Sequence, residues 1–375
     1  MLLPKKYSGS LISYFSNKVK QQGGINLAQG LPGFSPPEQL VTELKKSFPQ
    51  SIHQYAPGYG IDELRQYAAN ELNSSNITKD NILITNGGTE AISLLYLYLY
   101  KQHNKDLKVL SISPVYETYS QLPNIYNNDF VEFFAEPDFS IDLNKLENTI
   151  EKNNINLFFL ASPANPLGKT YDKNLILNIL QICNKNNVTI VFDIVYKHLF
   201  KDEPPFYPFD ALSNKVFFAD SFSKQFSITG WRLGYLVAHK SILSDIAAIH
   251  DYTGLSSPHP LQIALGSFVT KYPTVAKQYM KDLRQKITSN ISMAEKSLNK
   301  AGYKCYPADA GFFVWAKIPE TETDGFDFAV NLYEKSKVAV IPGEHFGRNW
   351  KNFIRINIAH PTELLEKALE LITKS

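Results

Sequence analysis

The middle of the chain alternates short apolar runs with segments of helical spacing, and this rhythm restricts the fold more than any other feature. Apolar and β-branched runs predict strands at residues 108–113, 157–161, 188–193, 216–220 and 233–237. Helical spacing predicts helices at residues 174–186 and 241–250. Because strands and helices alternate along the chain, the sequence predicts an α/β fold with a parallel sheet flanked by helices.

The two ends of the chain have a different pattern. The N-terminal part is rich in proline, and the C-terminal part predicts helices at 275–300 and 362–373 and short strands at 312–316 and 353–358. The run at 94–100 alternates like a strand, but we interpret it as a helix because a glycine-rich turn precedes it. We expect a large domain, residues 41–270, and a smaller α+β domain built from residues 1–40 and 271–375.

Composition narrows the function classes. The 38 basic and 36 acidic residues give a net charge of +2, so no basic surface argues for nucleic acid. The two cysteines cannot form a disulfide framework, and the eight histidines show no metal-ligand spacing. Neither an apolar signal segment nor a run of membrane-spanning length is present, so we expect a cytoplasmic protein without membrane contact or metal.

One lysine lies in surroundings suited to covalent chemistry. Lys224 follows the predicted strand at 216–220, with Ser221 and Ser223 before it and Arg232 eight positions after it. An uncharged lysine amine condenses with an aldehyde, and hydroxyls and an arginine donate hydrogen bonds to a phosphate. Pyridoxal 5'-phosphate (PLP) carries both groups, and this pattern therefore favours PLP as a ligand.

Other polar residues follow neighbouring strands, at the edge where ligands of open α/β sheets bind. Gly88 and Thr89 stand at the start of the predicted helix, where backbone N–H groups and the helix dipole favour an anion. Asp193 and Tyr196 follow the strand at 188–193 and would reach the same ligand. In isolation, an ordinary turn and helix cap is the better explanation of the glycine pair, and a helix cap with a packed aromatic can explain Asp193 and Tyr196.

Further candidates lie on other segments. Asn165, held out of the helical region by Pro166, can present its amide to a ligand oxygen, although a proline-rich turn is the simpler interpretation. Tyr116 can stack on a planar ring. Tyr55 lies in a glycine-rich loop, and Arg355 could bind a carboxylate through two hydrogen bonds, although an exposed salt bridge is common for such an arginine.

Taken together, these segments resemble the class I and II PLP-dependent aminotransferases of fold type I, from about residue 20 to the C-terminus. The similarity is closest to the methionine, glutamine, aromatic and kynurenine-type branch. It implies a mostly parallel seven-stranded sheet in the large domain and a homodimer with active sites shared across the interface. The matching segments, in family order, are INLAQGLPGFSPP, YAPGYGIDELR, TNGGTEA, PVYETY, SPANPLG, DIVY, SFSKQFSITGWRLGY and FIRINIA.

The resemblance implies catalytic roles for several of these residues. Lys224 would form the Schiff base with PLP and later shuttle the α-proton. Asp193 would pair with the ring nitrogen, and Asn165 and Tyr196 would hydrogen-bond its phenolic oxygen. Tyr116 would stack on the ring.

It also implies phosphate and substrate contacts. The phosphate would be held by Gly88, Thr89, Ser221 and Arg232, with Tyr55 reaching it from the other subunit. Gly30 and Arg355 would meet the substrate, with Arg355 at its α-carboxylate and Asn165 nearby.

Some positions depart from the family pattern. Ile194, Ser162, Leu167 and Gly33 replace the usual residues, although none of these changes removes a catalytic group. The segment 252–258, where some aspartate-specific members carry a second arginine, has no cation. That absence argues against a dicarboxylate substrate bound in that way.

We therefore expect a ping-pong aminotransferase acting on a neutral, sulfur-containing or aromatic L-amino acid and a 2-oxo acid. A C–S lyase acting on cysteine conjugates is the alternative, since the same fold and residues support it. A PLP-sensing domain of a transcription regulator is the other rival. We do not expect such a regulator, because no basic helix-turn-helix segment precedes residue 20.

Overall fold

The computed structural model describes residues 9–49 and 52–374. Within these residues, the helices are α1 Leu11–Gln22, α2 Glu38–Ser47, α3 Asp62–Glu71, α4 Gly88–Gln102, α5 Glu117–Ile125, α6 Leu143–Lys152, α7 Lys173–Lys185, α8 Phe222–Gln225, α9 Lys240–Thr253, α10 His259–Lys271, α11 Pro273–Lys300, α12 Gly325–Ser336 and α13 Thr362–Thr373.

The strands within the same residues are β1 Ile25–Asn26, β2 Ile82–Thr85, β3 Lys108–Ser113, β4 Asp129–Phe134, β5 Leu157–Ala161, β6 Thr189–Asp193, β7 Val216–Ser221, β8 Gly234–Val237, β9 Lys304–Tyr306, β10 Phe313–Lys317, β11 Val338–Ala339, β12 Ile341–Pro342 and β13 Phe353–Asn357. None of the described helices is both long and apolar enough to cross a bilayer.

A seven-stranded sheet dominates the structure, in the order β2-β8-β7-β6-β5-β3-β4. Strands β3 to β7 run parallel, with β5 and β6 in register from Leu157 opposite Thr189 to Ala161 opposite Asp193. This confirms the predicted α/β class with a mostly parallel seven-stranded sheet. Because parallel strands share one direction, the residues after β5, β6 and β7 meet at one edge.

Strand β8 differs from the interpretation of residues 233–237 as a further parallel strand, because it pairs antiparallel with both β7 and β2. Strands β2 and β4 were not predicted from the sequence. Strand β2 is only four residues long and directly precedes the glycine turn, so its pattern is short. The run at 94–100 lies in helix α4, as predicted.

Both faces of the central sheet are covered. Phe158 and Leu160 of β5 enter one hydrophobic cluster, whereas Leu157 and Phe159 enter the cluster on the opposite face. This alternation follows from the two-residue period of a strand, and it explains why β5 has no polar residue to mark a solvent face.

A third hydrophobic cluster joins both ends of the chain. Phe15, Leu27 and Ala28 pack with residues of α11, α13 and the small antiparallel sheet β12-β13-β10-β9. Helix α2 instead packs on α10, and its Leu40 belongs to a cluster of the large sheet. The division into residues 41–270 and the two terminal segments stays a prediction.

Candidate active site

A cavity of about 260 Å³ lies between the edge of the large sheet and the small antiparallel sheet. It is lined by every residue that the sequence analysis proposed for the cofactor or substrate except Tyr55. These residues are Gly30, Gly88, Thr89, Tyr116, Asn165, Asp193, Tyr196, Ser221, Lys224, Arg232 and Arg355.

Lys224 lies in the short helix α8 that follows β7, with its amine inside the cavity. Its Nζ donates a hydrogen bond to the carbonyl oxygen of Gly30 at 2.5 Å. Burial, followed by the positive charges of Arg355 and Arg232, lowers the pKa of Lys224 to about 7. The amine is therefore largely uncharged just above neutral pH and is suited to act as a nucleophile and base.

Asp193 ends β6 and is buried at the floor of the cavity. Its Oδ2 accepts a hydrogen bond from the Tyr119 hydroxyl at 2.5 Å, and its Oδ1 accepts one from the Val195 N–H at 3.2 Å. Burial raises the pKa of Asp193 to about 6, against the opposing effect of these hydrogen bonds. A protonated ring nitrogen beside this carboxylate would favour its ionised form.

Tyr119 was not predicted from the sequence. It lies three residues after Tyr116 on the first turn of α5, and its ring stacks on Phe159 with centroids 5.0 Å apart. The sequence signal that could have identified Tyr119 is its spacing of three residues from Tyr116, because residues three apart on a helix share a face.

The start of α4 and Arg232 form an anion cradle. Gly87 has a φ of +88°, and a Cβ atom there would lie 2.5 Å from a guanidinium nitrogen of Arg232, so this position requires glycine. Arg232 donates to the carbonyl oxygens of Asn86 and Thr229 at 2.9 and 3.0 Å. These bonds aim the guanidinium at the first turn of α4, where free N–H groups favour a phosphate.

Two serine hydroxyls complete the cradle. Ser221 Oγ accepts from the Ser223 N–H and donates to the Leu233 carbonyl oxygen, both at 3.2 Å. Ser223 Oγ is buried, lines the cavity and has no hydrogen-bond partner among the described residues. Because a buried hydroxyl without a partner is unfavourable, this donor fits a ligand that carries acceptor oxygens.

Arg355 is buried on β13 on the opposite side of the cavity. Its guanidinium donates to Asn165 Oδ1 at 3.0 Å and to the Ala28 carbonyl oxygen at 2.5 Å. It lies over the rings of Phe313 and Phe346, at 4.2 and 5.0 Å from their centroids. Burial lowers its pKa to about 10. Its Nε is buried without a partner among the described residues, which leaves donor capacity for a ligand carboxylate.

The three predicted tyrosines have different positions. Tyr196 packs edge-on against Phe312 and Phe313, and burial raises its pKa. Tyr116 lies at the N-cap of α5 and lines the cavity. Tyr55 is 78% exposed and lies outside the cavity lining, so the single chain does not bring it to the site.

A buried ion pair lies directly behind the site. Lys197 Nζ pairs with Asp220 Oδ2, which also accepts a hydrogen bond from the Tyr235 hydroxyl at 2.6 Å. Lys197 follows Tyr196, and Asp220 precedes Ser221, so the pair connects the ends of β6 and β7. No sequence signal distinguished this lysine from a surface residue. Across residues 9–49 and 52–374, no three potential ligand side chains cluster in a way that could hold a metal ion.

Comparison with known proteins identifies the family. The family model described as "Aminotransferase class I and II" matches residues 22–372, and the chain belongs to this family. A probable aspartate aminotransferase of Methanocaldococcus jannaschii is 29% identical, with 93% of this chain and 92% of that protein covered. The aromatic-amino-acid aminotransferase 2 of Thermococcus litoralis is 25% identical, with 94% and 92% covered.

The fold has a close match among solved structures. An aspartate aminotransferase from Thermus thermophilus with maleate superposes with a TM-score of 0.90, at 24% identity, covering 98% of this chain and 97% of that one. The chain is an aminotransferase, and members of its family use PLP. The unpartnered Ser223 hydroxyl, the glycine cradle beside Arg232 and the buried Asp193 carboxylate fit this cofactor.

Proposed function

We propose that this aminotransferase moves the amino group of a neutral, sulfur-containing or aromatic L-amino acid to a 2-oxo acid by a ping-pong mechanism. The observation that carries the proposal is the set of charges in the cavity. Lys224, Arg232 and Arg355 are its cations among the described lining residues. Each has a use other than binding a substrate side chain.

Bound PLP supplies the electron sink that makes the substrate's α-hydrogen acidic. Lys224 is the proposed base. Its Nζ would accept the proton from the substrate α-carbon and carry it onward, and a pKa of about 7 leaves the amine able to do so near neutral pH. Asp193 keeps the ring nitrogen protonated, while the hydroxyl of Tyr119 fixes the orientation of the carboxylate.

The remaining polar groups orient the two ligands. Arg232, Ser221, Thr89 and the N–H groups at Gly88 are proposed to hold the phosphate. Asn165 and Tyr196 are proposed to bind the phenolic oxygen, and Tyr116 to cover one ring face.

The substrate's α-carboxylate is proposed to bind Arg355, with Gly30 beside it. A bidentate pair with a buried arginine is strong and fixes geometry as well as charge. With Arg355 occupied in this way, no cation among the described lining residues is left for a second carboxylate. This favours uncharged side chains, although relatives include aspartate aminotransferases.

A homodimer is proposed to complete the site. Tyr55 is exposed, and so is Tyr252, at 94%, in the segment 252–258 that has no cation. Exposed aromatic residues are typical of protein interfaces. The partner subunit's Tyr55 would then reach the phosphate.

The proposal is tested by incubating the holoenzyme with one amino acid and no oxo acid. An aminotransferase forms one equivalent of oxo acid per active site and stops, and it resumes when an acceptor is added. Continuous release of thiol and pyruvate from a cysteine conjugate would instead support a C–S lyase. A preference for aspartate or glutamate over methionine, glutamine and phenylalanine would refute the proposed substrate class.

A further inference from the structure

One acidic side chain of the cavity has no role in the chemistry described above. Glu117 is the first residue of α5, directly after Tyr116, and it lines the same cavity as Lys224 and Arg355. Besides Asp193, it is the one carboxylate among the described lining residues. Ile12 and Gln29 line the same cavity, and neither they nor Glu117 are assigned to the cofactor or to the α-carboxylate.

Glu117 lies at the junction between two cavities. A second, larger cavity of about 1220 Å³ shares the lining residues Thr89 and Glu117 with the active-site cavity. The second cavity is also lined by the cations Arg348 and Lys351, so Glu117 lies between them and the active-site cavity.

The neighbours of Glu117 hold its carboxylate in place without cancelling its charge. Oε1 accepts a hydrogen bond from the Ser10 hydroxyl at 2.9 Å, and Oε2 lies 3.2 Å from Nε2 of His345. Burial, followed by the charge of Arg355, lowers the pKa of His345 to about 3, so the imidazole is neutral. Burial raises the pKa of Glu117, whereas the Ser10 hydroxyl and Arg355 favour its ionised form.

We propose that Glu117 determines substrate specificity: its carboxylate repels amino acids and 2-oxo acids with anionic side chains and so selects uncharged ones. This inference rests on the proposed function and deepens it, because it assigns the selection to one residue. Two like charges several ångströms apart in a partly buried site change relative affinity by on the order of tenfold to fiftyfold.

Glutamate and glutamine provide a matched pair of substrates, since they differ by a carboxylate against an amide of the same shape. We expect Glu117→Gln to lower the glutamine-to-glutamate ratio of kcat/KM at least tenfold, mainly through a gain for glutamate. Glu117→Asp keeps the charge and should keep most of the ratio. Glu344→Gln removes a carboxylate from the second cavity alone and serves as the control, with an expected change below about twofold.

A binding measurement separates repulsion from an effect on turnover. The 2-methyl derivatives of glutamate and glutamine have no α-proton, so their dissociation constants from the holoenzyme report affinity alone. We expect the ratio of these constants to change in Glu117→Gln as the kcat/KM ratio does. In the wild-type enzyme, the discrimination should also weaken as ionic strength rises, because salt screens charge repulsion. The ionic-strength measurement uses the wild-type enzyme alone, so it does not depend on the folding of a variant.

The outcomes separate the two proposals. A wild-type enzyme that favours glutamate over glutamine refutes the proposed substrate class, whatever Glu117 does. The role of Glu117 is refuted if Glu117→Gln leaves both ratios unchanged, or if the wild-type ratio is insensitive to salt. It is supported if the ratios shift toward glutamate in the variant, from either starting preference.

Discussion

The lowered pKa of Lys224 leads to a prediction that can be worked out quantitatively. With a pKa of about 7, roughly nine-tenths of the amine is unprotonated at pH 8, against about 0.3% for an ordinary lysine of pKa near 10.5. In the apoenzyme, competitive acetylation followed by mass spectrometry should therefore show Lys224 titrating near pH 7. Replacing Arg355 by methionine removes a positive charge and should move the midpoint upward.

The same shift predicts how stability depends on pH. The folded-state pKa of Lys224 lies below its unfolded value, so between pH 7 and 10.5 the unfolded chain binds more protons, and stability rises with pH. The apoenzyme should gain about 2.5 kcal/mol in free energy of unfolding from pH 7.5 to 9.5, relative to a Lys224→Met variant. Denaturant titrations of both proteins at the two pH values measure this difference. Parallel stability profiles, or a labelling midpoint near pH 10, would refute the reasoning.

Three further substitutions test neighbouring parts of the site. Tyr119→Phe removes the hydrogen bond to the Asp193 carboxylate and should weaken PLP binding about tenfold, measured by equilibrium dialysis; unchanged affinity contradicts this role. Arg355→Lys loses the bidentate fork and should raise KM for the amino acid at least about 100-fold, and an unchanged KM would place the α-carboxylate elsewhere. Lys197→Met leaves Asp220 buried without its ion pair and should lower the free energy of unfolding by about 3–5 kcal/mol, whereas a matching denaturation midpoint would show that the pair is not needed.

The sequence predicted the fold class because β5, β6 and β7 are buried on both faces and therefore contain apolar runs. Leu157–Ala161 is an example, since a short apolar run between two helical segments is best interpreted as a buried strand. Strand direction was less accessible. Gly234–Val237 is as apolar as its parallel neighbours, and its antiparallel pairing depends on the short connection from β7 through Arg232.

The site residues could be predicted where their residue type carries the chemistry. Lys224 lies in the short helix after β7, Asp193 ends β6 and Arg355 lies within β13, and the structure brings all three to one cavity. Tyr119 was missed because its partner, Asp193, is distant in sequence. Glu117 was missed because its proposed role depends on its position in the cavity and not on its sequence neighbours. The position of Tyr55 depends on a second subunit and stays a prediction.

The central claim is that Lys224 is the residue to which the cofactor attaches. The direct test is to reduce the PLP-loaded enzyme with borohydride, digest it and map the added mass by tandem mass spectrometry. The account predicts one cofactor per chain, on Lys224 within the segment SFSKQFSITGWR. Attachment to Lys197 or to any other lysine, with Lys224 unmodified, would contradict it.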